Sequence, residues 1–330
     1  MIIVFGLFRC LFGDRVQTFI FARDFFIALL VFVVGLGASS ARATDFVIYD
    51  FDDTLMRLPT ENYAFLKGEH GRIPEPRKLG LTSSELPLLR EDIGRAGTPL
   101  ERFEIVGDDR DPMRGSFQNA RPGRHGDNPF DRDLARALAM SATEREAPLY
   151  HEWLQRESSE ALRPFTRILT GRGNAAHEMH LAFHRLETLH HGFRAPDAAR
   201  IIPVGGRGKT ADRKAEEMLP LLREAARLGA TRIVFADDDV RNLEKSLDVL
   251  LIDRATIPNA PLERRLILVR EHDTLSFDFR IPETGTAKLT DLREDLLGRI
   301  RQAASQPTDL EAQIRKLQLK DAAICRALFF

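Results

Sequence analysis

From residue 44 onward, short β-rich apolar runs alternate with longer helical stretches, and this alternation confines the chain to an α/β layer fold. The runs are Phe46-Val47-Ile48-Tyr49, Thr166-Arg167-Ile168-Leu169, Ile201-Ile202-Pro203-Val204, Thr231-Arg232-Ile233-Val234-Phe235 and Leu266-Ile267-Leu268-Val269. Helical segments are expected near 174–191, 211–228 and 241–251, the second opening at the capping candidate Thr210 and broken or kinked at Pro220. The pattern predicts a Rossmann-like, mostly parallel sheet with helices on both faces. Such sheets bind ligands just beyond the carboxyl ends of their strands, so the residues after each run are the ones to inspect.

Those residues carry chemistry. The first run leads into Asp50-Phe51-Asp52-Asp53-Thr54-Leu55, the second into Thr170-Gly171-Arg172-Gly173 and the fourth into Asp237-Asp238-Asp239, with Lys209 and Lys214 just ahead of the fourth. Carboxylates gathered in one crevice repel each other and need a cation; a hard divalent ion, Mg²⁺ above all, meets that need with oxygen ligands. Taken singly, each feature has a plainer reading. Asp50 and Asp52 could cap the segment that follows, Thr170-Gly171-Arg172 could be an ordinary turn, and Lys214 could be a solvated side chain on an amphipathic helix. Asp239 is expected to cap a helix, and Asn242 to orient Asp238 or start that helix.

Together, these motifs resemble those of the haloacid dehalogenase superfamily. VIYDFDDTL at 47–55 is similar to its D-x-D-x-T motif, ILTGR at 168–172 to its strand ending in Thr or Ser, Lys214 (with Lys209 as the other candidate) to its lysine, and IVFADDDVRN at 233–242 to its paired acids. The resemblance spans about 44–55 and 165–250. It implies Asp50 as the nucleophile that forms an aspartyl-phosphate and Asp52 as acid and base. It further implies Mg²⁺ held by Asp50, the main-chain carbonyl of Asp52 and Asp238 with Asp237 beside it, and phosphoryl oxygens bound by Thr170 and Lys214. Arg172 is a candidate substrate contact. Members that cleave carbon–halogen bonds lack an acid at the Asp52 position, so the resemblance implies a phosphomonoester hydrolase acting on a small phosphorylated substrate.

The N-terminus reads as an export signal. Phe25 to Gly37 is uncharged, is preceded by Arg9, Arg15 and Arg23, and ends in Ala38-Ser39-Ser40-Ala41-Arg42-Ala43. This is the layout of a secretory leader cleaved after Ala43, and the run is too short to span a bilayer. An uncleaved anchor or a buried helix is the alternative. Without residues 1–43 the chain holds 44 basic and 47 acidic side chains, so no bulk basic charge advertises nucleic acid or membrane lipid. Only two cysteines occur, Cys10 and Cys325, too few for a disulfide scaffold or a Cys-based zinc site.

Between Leu55 and Phe165 lie 109 residues, against 43 between Thr170 and Lys214, which places an inserted cap at 56–164 after the first strand. Its stretch 68–128 holds 15 Gly plus Pro in 61 residues and is expected to be loop-rich; helices are expected within 130–157, near 130–141 and 143–157. The core then comprises 44–55 and 165–260. An extension at 261–330 is expected to add a strand pair, Leu266–Val269 with Leu275–Ile281, and helices near 289–304 and 308–327. His177, His180 and His184 share one face of a helix, where a zinc site is a weaker reading than plain packing. Two other functions are kept open: a phosphatase acting on nucleic-acid 3′-phosphate ends, and a non-catalytic envelope protein that binds a metal or a phosphorylated ligand.

Overall fold

A computed structural model describes residues 44–69, 77–82, 86, 89–90, 92–107, 115–122, 127–205, 209–282 and 286–305. The expected leader at 1–43 and the helix expected near 308–327 lie outside these residues.

Six strands form the main sheet: β1 (Asp45–Tyr49), β5 (Thr166–Thr170), β6 (Ile201–Pro203), β7 (Arg232–Asp237), β8 (Glu263–Val269) and β9 (Thr274–Arg280). Their order is β6-β5-β1-β7-β8-β9, parallel except for β9, which pairs antiparallel with β8 at the edge. The chain moves outward from β1 through β5 to β6, then crosses back to β7 and β8 on the other side of β1. The direction of winding therefore reverses at β1, which is where open α/β sheets place their ligands.

Both sheet faces are buried, because β1 alternates between two apolar clusters. Phe46 and Ile48 join Met218, Leu222, Leu243, Leu247 and Ile300 on one face. Val47 and Tyr49 join Phe130, Trp153, Met179 and Phe183 on the other. Helices α5 (Thr210–Arg227), α6 (Val240–Leu250) and α7 (Thr286–Ser305) supply the first layer; α1 (Pro129–Leu138), α3 (Tyr150–Ser158) and α4 (Ala176–Leu189) supply the second, with a single turn, α2 (Ala142–Arg145), between α1 and α3. The protein is thus α/β, with a mostly parallel six-stranded sheet flanked by helices in the Rossmann-like manner.

The structure departs from the sequence reading in three places. Helix α5 runs through Pro220 without ending. Pro220 lies on the exposed side, where water can satisfy the carbonyl that loses its amide partner, while Met218, Leu221, Leu222 and Ala225 bury the opposite side. The helix expected near 143–157 is two, α2 and α3. The Gly- and Pro-rich stretch contributes two strands, β3 (Lys78–Thr82) and β4 (Phe103–Glu104), which pair antiparallel with β2 (Glu61–Leu66) just ahead of it. This second sheet closes its own small core of Ala64, Leu79, Leu81, Leu89, Leu100 and Phe103. Two glycines punctuate these strands instead of dissolving them. Gly68 and Gly94 adopt φ of +74° and +80°, a backbone that other residues resist.

The stretch 56–164 is therefore built in two ways. Its strands form a separate core, while Phe130, Leu134, Tyr150 and Trp153 of its helices belong to the same cluster as β1. No helix among the described residues is long and apolar enough to cross a membrane.

Candidate active site

Three strand ends meet at the centre of the sheet. Asp50 follows β1, Thr170 closes β5 and Asp237 closes β7; β1 lies between the other two. Asp50 donates its backbone N–H to the Ala236 carbonyl at 2.8 Å, extending the β1–β7 ladder by one step and fixing where its side chain leaves the sheet. Phe51 then turns into the aromatic cluster, with ring centres 5.4 Å from both Phe130 and Phe183. Asp53 takes φ +57°, tolerable for an Asp, and donates its N–H to the Met56 carbonyl at 2.9 Å. This tight turn holds Asp52 beside the crevice.

Lys214, from α5, is 1% exposed and lies between two carboxylates. Its Nζ donates to Asp237 Oδ2 at 2.7 Å and sits 2.9 Å from Asp50 Oδ1. Asp50 Oδ1 is buried and lacks a hydrogen bond of good geometry, so the Asp50 contact is electrostatic, without a well-aligned donor. Burial draws the lysine pKa down, but Asp237 and Asp50 more than reverse this, and Lys214 stays charged. Lys209, the other candidate, is exposed at the N-terminus of α5 and touches neither acid.

Asp237 is a fully engaged anchor. Besides Lys214 it accepts the Asn242 side-chain amide and the Asp239 backbone N–H, both at 2.9 Å on Oδ1. Asn242 therefore orients Asp237, not Asp238. Asp239 caps α6 by accepting the Arg241 N–H. Asp238 is exposed, yet one carboxylate oxygen from each of Asp50, Asp237 and Asp238 can lie within 4.8 Å of the others.

The electrostatics are unbalanced. Burial pushes the Asp50 carboxyl up to about 7; Lys214 opposes this, and Asp237 and Asp52 reinforce it. Burial likewise lifts Asp53 to about 7, with the charge of Asp52 adding to it. Asp238 is raised well above the carboxylate range by desolvation and then by Asp237, Asp50 and Asp53. Its side chain reaches solvent, so the repulsion of the neighbouring carboxylates counts for more there than burial does. A divalent cation fits this donor set on two grounds: hard oxygen ligands gathered at one point, and an Asp50 oxygen that is buried without a hydrogen bond.

Thr170 is fully buried; its Oγ1 accepts the Arg172 N–H at 3.2 Å. Arg172 has turned inward and is 3% exposed. Its Nε donates to Asp52 Oδ2 at 2.8 Å, and its Nη2 to Asp52 Oδ1 at 2.9 Å. Its remaining donors go to Thr60 and Asn174, so a direct substrate contact by Arg172 would first need these bonds to break. The loop carrying Thr170 and Arg172 packs so closely on the one after β6 that a Cβ at Gly205 would meet the carbonyl carbon of Arg172 at 2.6 Å, which only glycine avoids.

The structure thus brings Asp50, Asp237, Asp238 and Lys214 into one cluster and places Asp52, Arg172 and Thr170 at its border. The histidines of α4 stand apart: His177 is exposed, His180 Nδ1 faces the Pro196 carbonyl and His184 pairs with Glu187. Among the described residues, the aspartate triad is the one His, Cys, Asp or Glu group close enough to hold a metal. Sequence reasoning missed Thr60 and Asp133, which reach Arg172 from the 56–164 stretch; nothing local to either residue signals that placement. No protein-family model, curated protein or solved structure matches the chain significantly.

Proposed function

We propose that this protein is an exported phosphohydrolase of the haloacid dehalogenase type, acting on a small phosphomonoester with Mg²⁺ as cofactor. The observation that carries the reading is the state of Asp50: a buried carboxylate at the winding switch of a parallel sheet, its Oδ1 without a hydrogen bond, 2.9 Å from a buried lysine and within a triad of acids. A structural aspartate would have its oxygens satisfied, as Asp237 does.

Asp50, the main-chain carbonyl of Asp52 and Asp238 would hold the ion, with Asp237 locking Lys214 behind them. The cation would offset the crowded carboxylates and polarise a phosphoryl oxygen. Asp50 attacks phosphorus, forming a carboxylate O–P bond while the ester P–O bond breaks, and Asp52 gives its proton to the departing alkoxide. A water molecule then attacks the aspartyl-phosphate, returns its proton to Asp52 and releases inorganic phosphate. Lys214 favours the ionised form of Asp50 against the effect of burial and offsets charge gathering on the phosphoryl oxygens. The Thr170 hydroxyl accepts a bond from its own loop and keeps its proton to donate to a phosphoryl oxygen. The leader at 1–43 directs export in this reading.

The test is hydrolysis of an aryl phosphate by the purified protein with Mg²⁺ and with EDTA, comparing wild type with Asp50→Asn. Metal-dependent turnover lost in the mutant is the expected result. Binding of Mg²⁺ by calorimetry without turnover on any ester would instead point to a non-catalytic phosphate- or metal-binding protein.

A further inference from the structure

Resting on the phosphohydrolase reading, we infer that Arg172 is a positioning residue that aims Asp52 at the ester oxygen, and that the 56–164 stretch sets its place through Thr60 and Asp133.

Four segments converge on this one guanidinium. Nε lies 2.8 Å and 3.1 Å from the two oxygens of Asp52, and Nη2 adds a bond of 2.9 Å. Nη2 also donates to Thr60 Oγ1, whose own hydroxyl donates to Asp133 Oδ2 at 2.6 Å. Nη1 donates to Asn174 Oδ1 at 3.3 Å and lies 3.8 Å from Asp133 Oδ2. The flat face of the group rests 5.3 Å from the centre of the Phe130 ring. A guanidinium held on its edges and on one face has almost no freedom to turn.

Arg172 is buried, but the carboxylate it grips is not. The Asp52 side chain is 25% exposed, against 3% for Arg172 and 2% for Asp133. Asp52 is therefore a solvent-facing acid on a buried clamp. The guanidinium takes only part of the acceptor capacity of the two oxygens, and the exposed part of the carboxylate is where an alkoxide or a water would approach. Two further bonds tie this region to the 56–164 stretch: Asn174 Nδ2 donates to the Arg121 carbonyl at 2.6 Å, and the Gly173 N–H donates to the Ala120 carbonyl at 2.7 Å. Orientation of a proton donor is worth most where the leaving group is a poor one, because a stable leaving anion needs no proton.

The experiment measures kcat/KM with Mg²⁺ for a series running from p-nitrophenyl phosphate through phenyl phosphate to an alkyl phosphate. It compares wild type, Arg172→Lys, Thr60→Val, Asp52→Asn and the Arg172→Lys, Asp52→Asn double variant. Arg172→Lys is expected to lose about 100-fold on the alkyl ester and under about 10-fold on the p-nitrophenyl ester, since general acid catalysis contributes on this scale. Thr60→Val should shift in the same sense by less, and Arg172→Lys should cost nothing further once Asp52 is Asn. An equal loss across the series would show that Arg172 binds phosphate or only supports the fold; multiplying losses in the double variant would show that it acts independently of Asp52. Either result overturns the inference. Should Arg172→Lys not fold, Thr60→Val keeps the guanidinium on Asp52 and carries the same comparison, a uniform loss again overturning it. Wild type inactive on every ester would overturn the phosphohydrolase reading itself, before any variant is compared.

Discussion

Lys214 Nζ donates to Asp237 Oδ2 over 2.7 Å and thereby ties the first turns of α5 to the end of β7. Both side chains are almost fully buried, so solvent cannot reach either one. Removing one charge from such a pair leaves the other uncompensated, so Lys214→Met is expected to lower stability by about 3–5 kcal/mol. Mg²⁺ should restore part of the loss by supplying positive charge to the same acids. Urea unfolding with and without Mg²⁺ checks this; an unchanged midpoint in EDTA would mean that the pair is neutral to folding.

Asp50→Asn should raise stability in EDTA while abolishing turnover. The folded-state pKa of Asp50 is raised to about 7, so its contribution is favourable at low pH, where it is protonated, and is lost as pH rises through about 7. Near pH 8 the amide removes a buried repulsion, and a gain of about 1–2 kcal/mol is expected, as for other strained functional positions. Near pH 5 the gain should shrink. Thermal melts of both proteins at the two pH values read it directly, and a mutant less stable at pH 8 contradicts the electrostatic account.

Asn242 fixes the Asp237 carboxylate, and with it the lysine between the acids. Replacing it by Leu keeps the volume and removes the donor. Groups that orient metal-binding carboxylates typically contribute 10–100-fold in affinity, and a loss of about that size for Mg²⁺ is expected. Calorimetric titration of wild type and Asn242→Leu makes the comparison; equal affinities would separate Asn242 from the site.

Far from the crevice, Glu157 is buried against Arg200, with Nη1 at 2.9 Å and 3.0 Å from its two oxygens. Desolvation outweighs this pairing and lifts Glu157 to about 7. An acid raised above its unfolded value stabilises the fold below that value and loses the contribution as pH rises through about 7. Wild type should therefore lose on the order of 2–3 kcal/mol between about pH 4 and pH 8 from this group alone. Glu157→Gln should be less stable overall, because Arg200 loses its buried charged partner and keeps only the exposed Asp197 at 3.8 Å and the Arg163 carbonyl, yet show a flatter dependence on pH. Denaturation midpoints across that range decide it, and parallel curves would sink the assignment.

The apolar strand runs and the acids that follow them are legible in the sequence because both signals are local. A β-branched run ending in Asp specifies a strand and what stands at its end, and β1, β5 and β7 with Asp50, Thr170 and Asp237 follow from that. The second sheet was hidden because Gly and Pro mark loops by composition, whereas here Gly68 and Gly94 serve as turns between strands.

Composition and spacing by themselves determined the α/β class, the alternation of elements and the candidate residues at strand ends. Only the tertiary structure decided which of these touch. Lys214 is chosen over Lys209 because it lies inside α5, five residues beyond the cap position of Lys209, where the packed face of the helix carries it down between Asp50 and Asp237. Arg172 faces Asp52 instead of solvent because Thr60, Asp133 and Phe130, 39 or more residues away in sequence, close around it. Such partners are set by which faces can be buried together, a property of the whole packed chain that no local window contains.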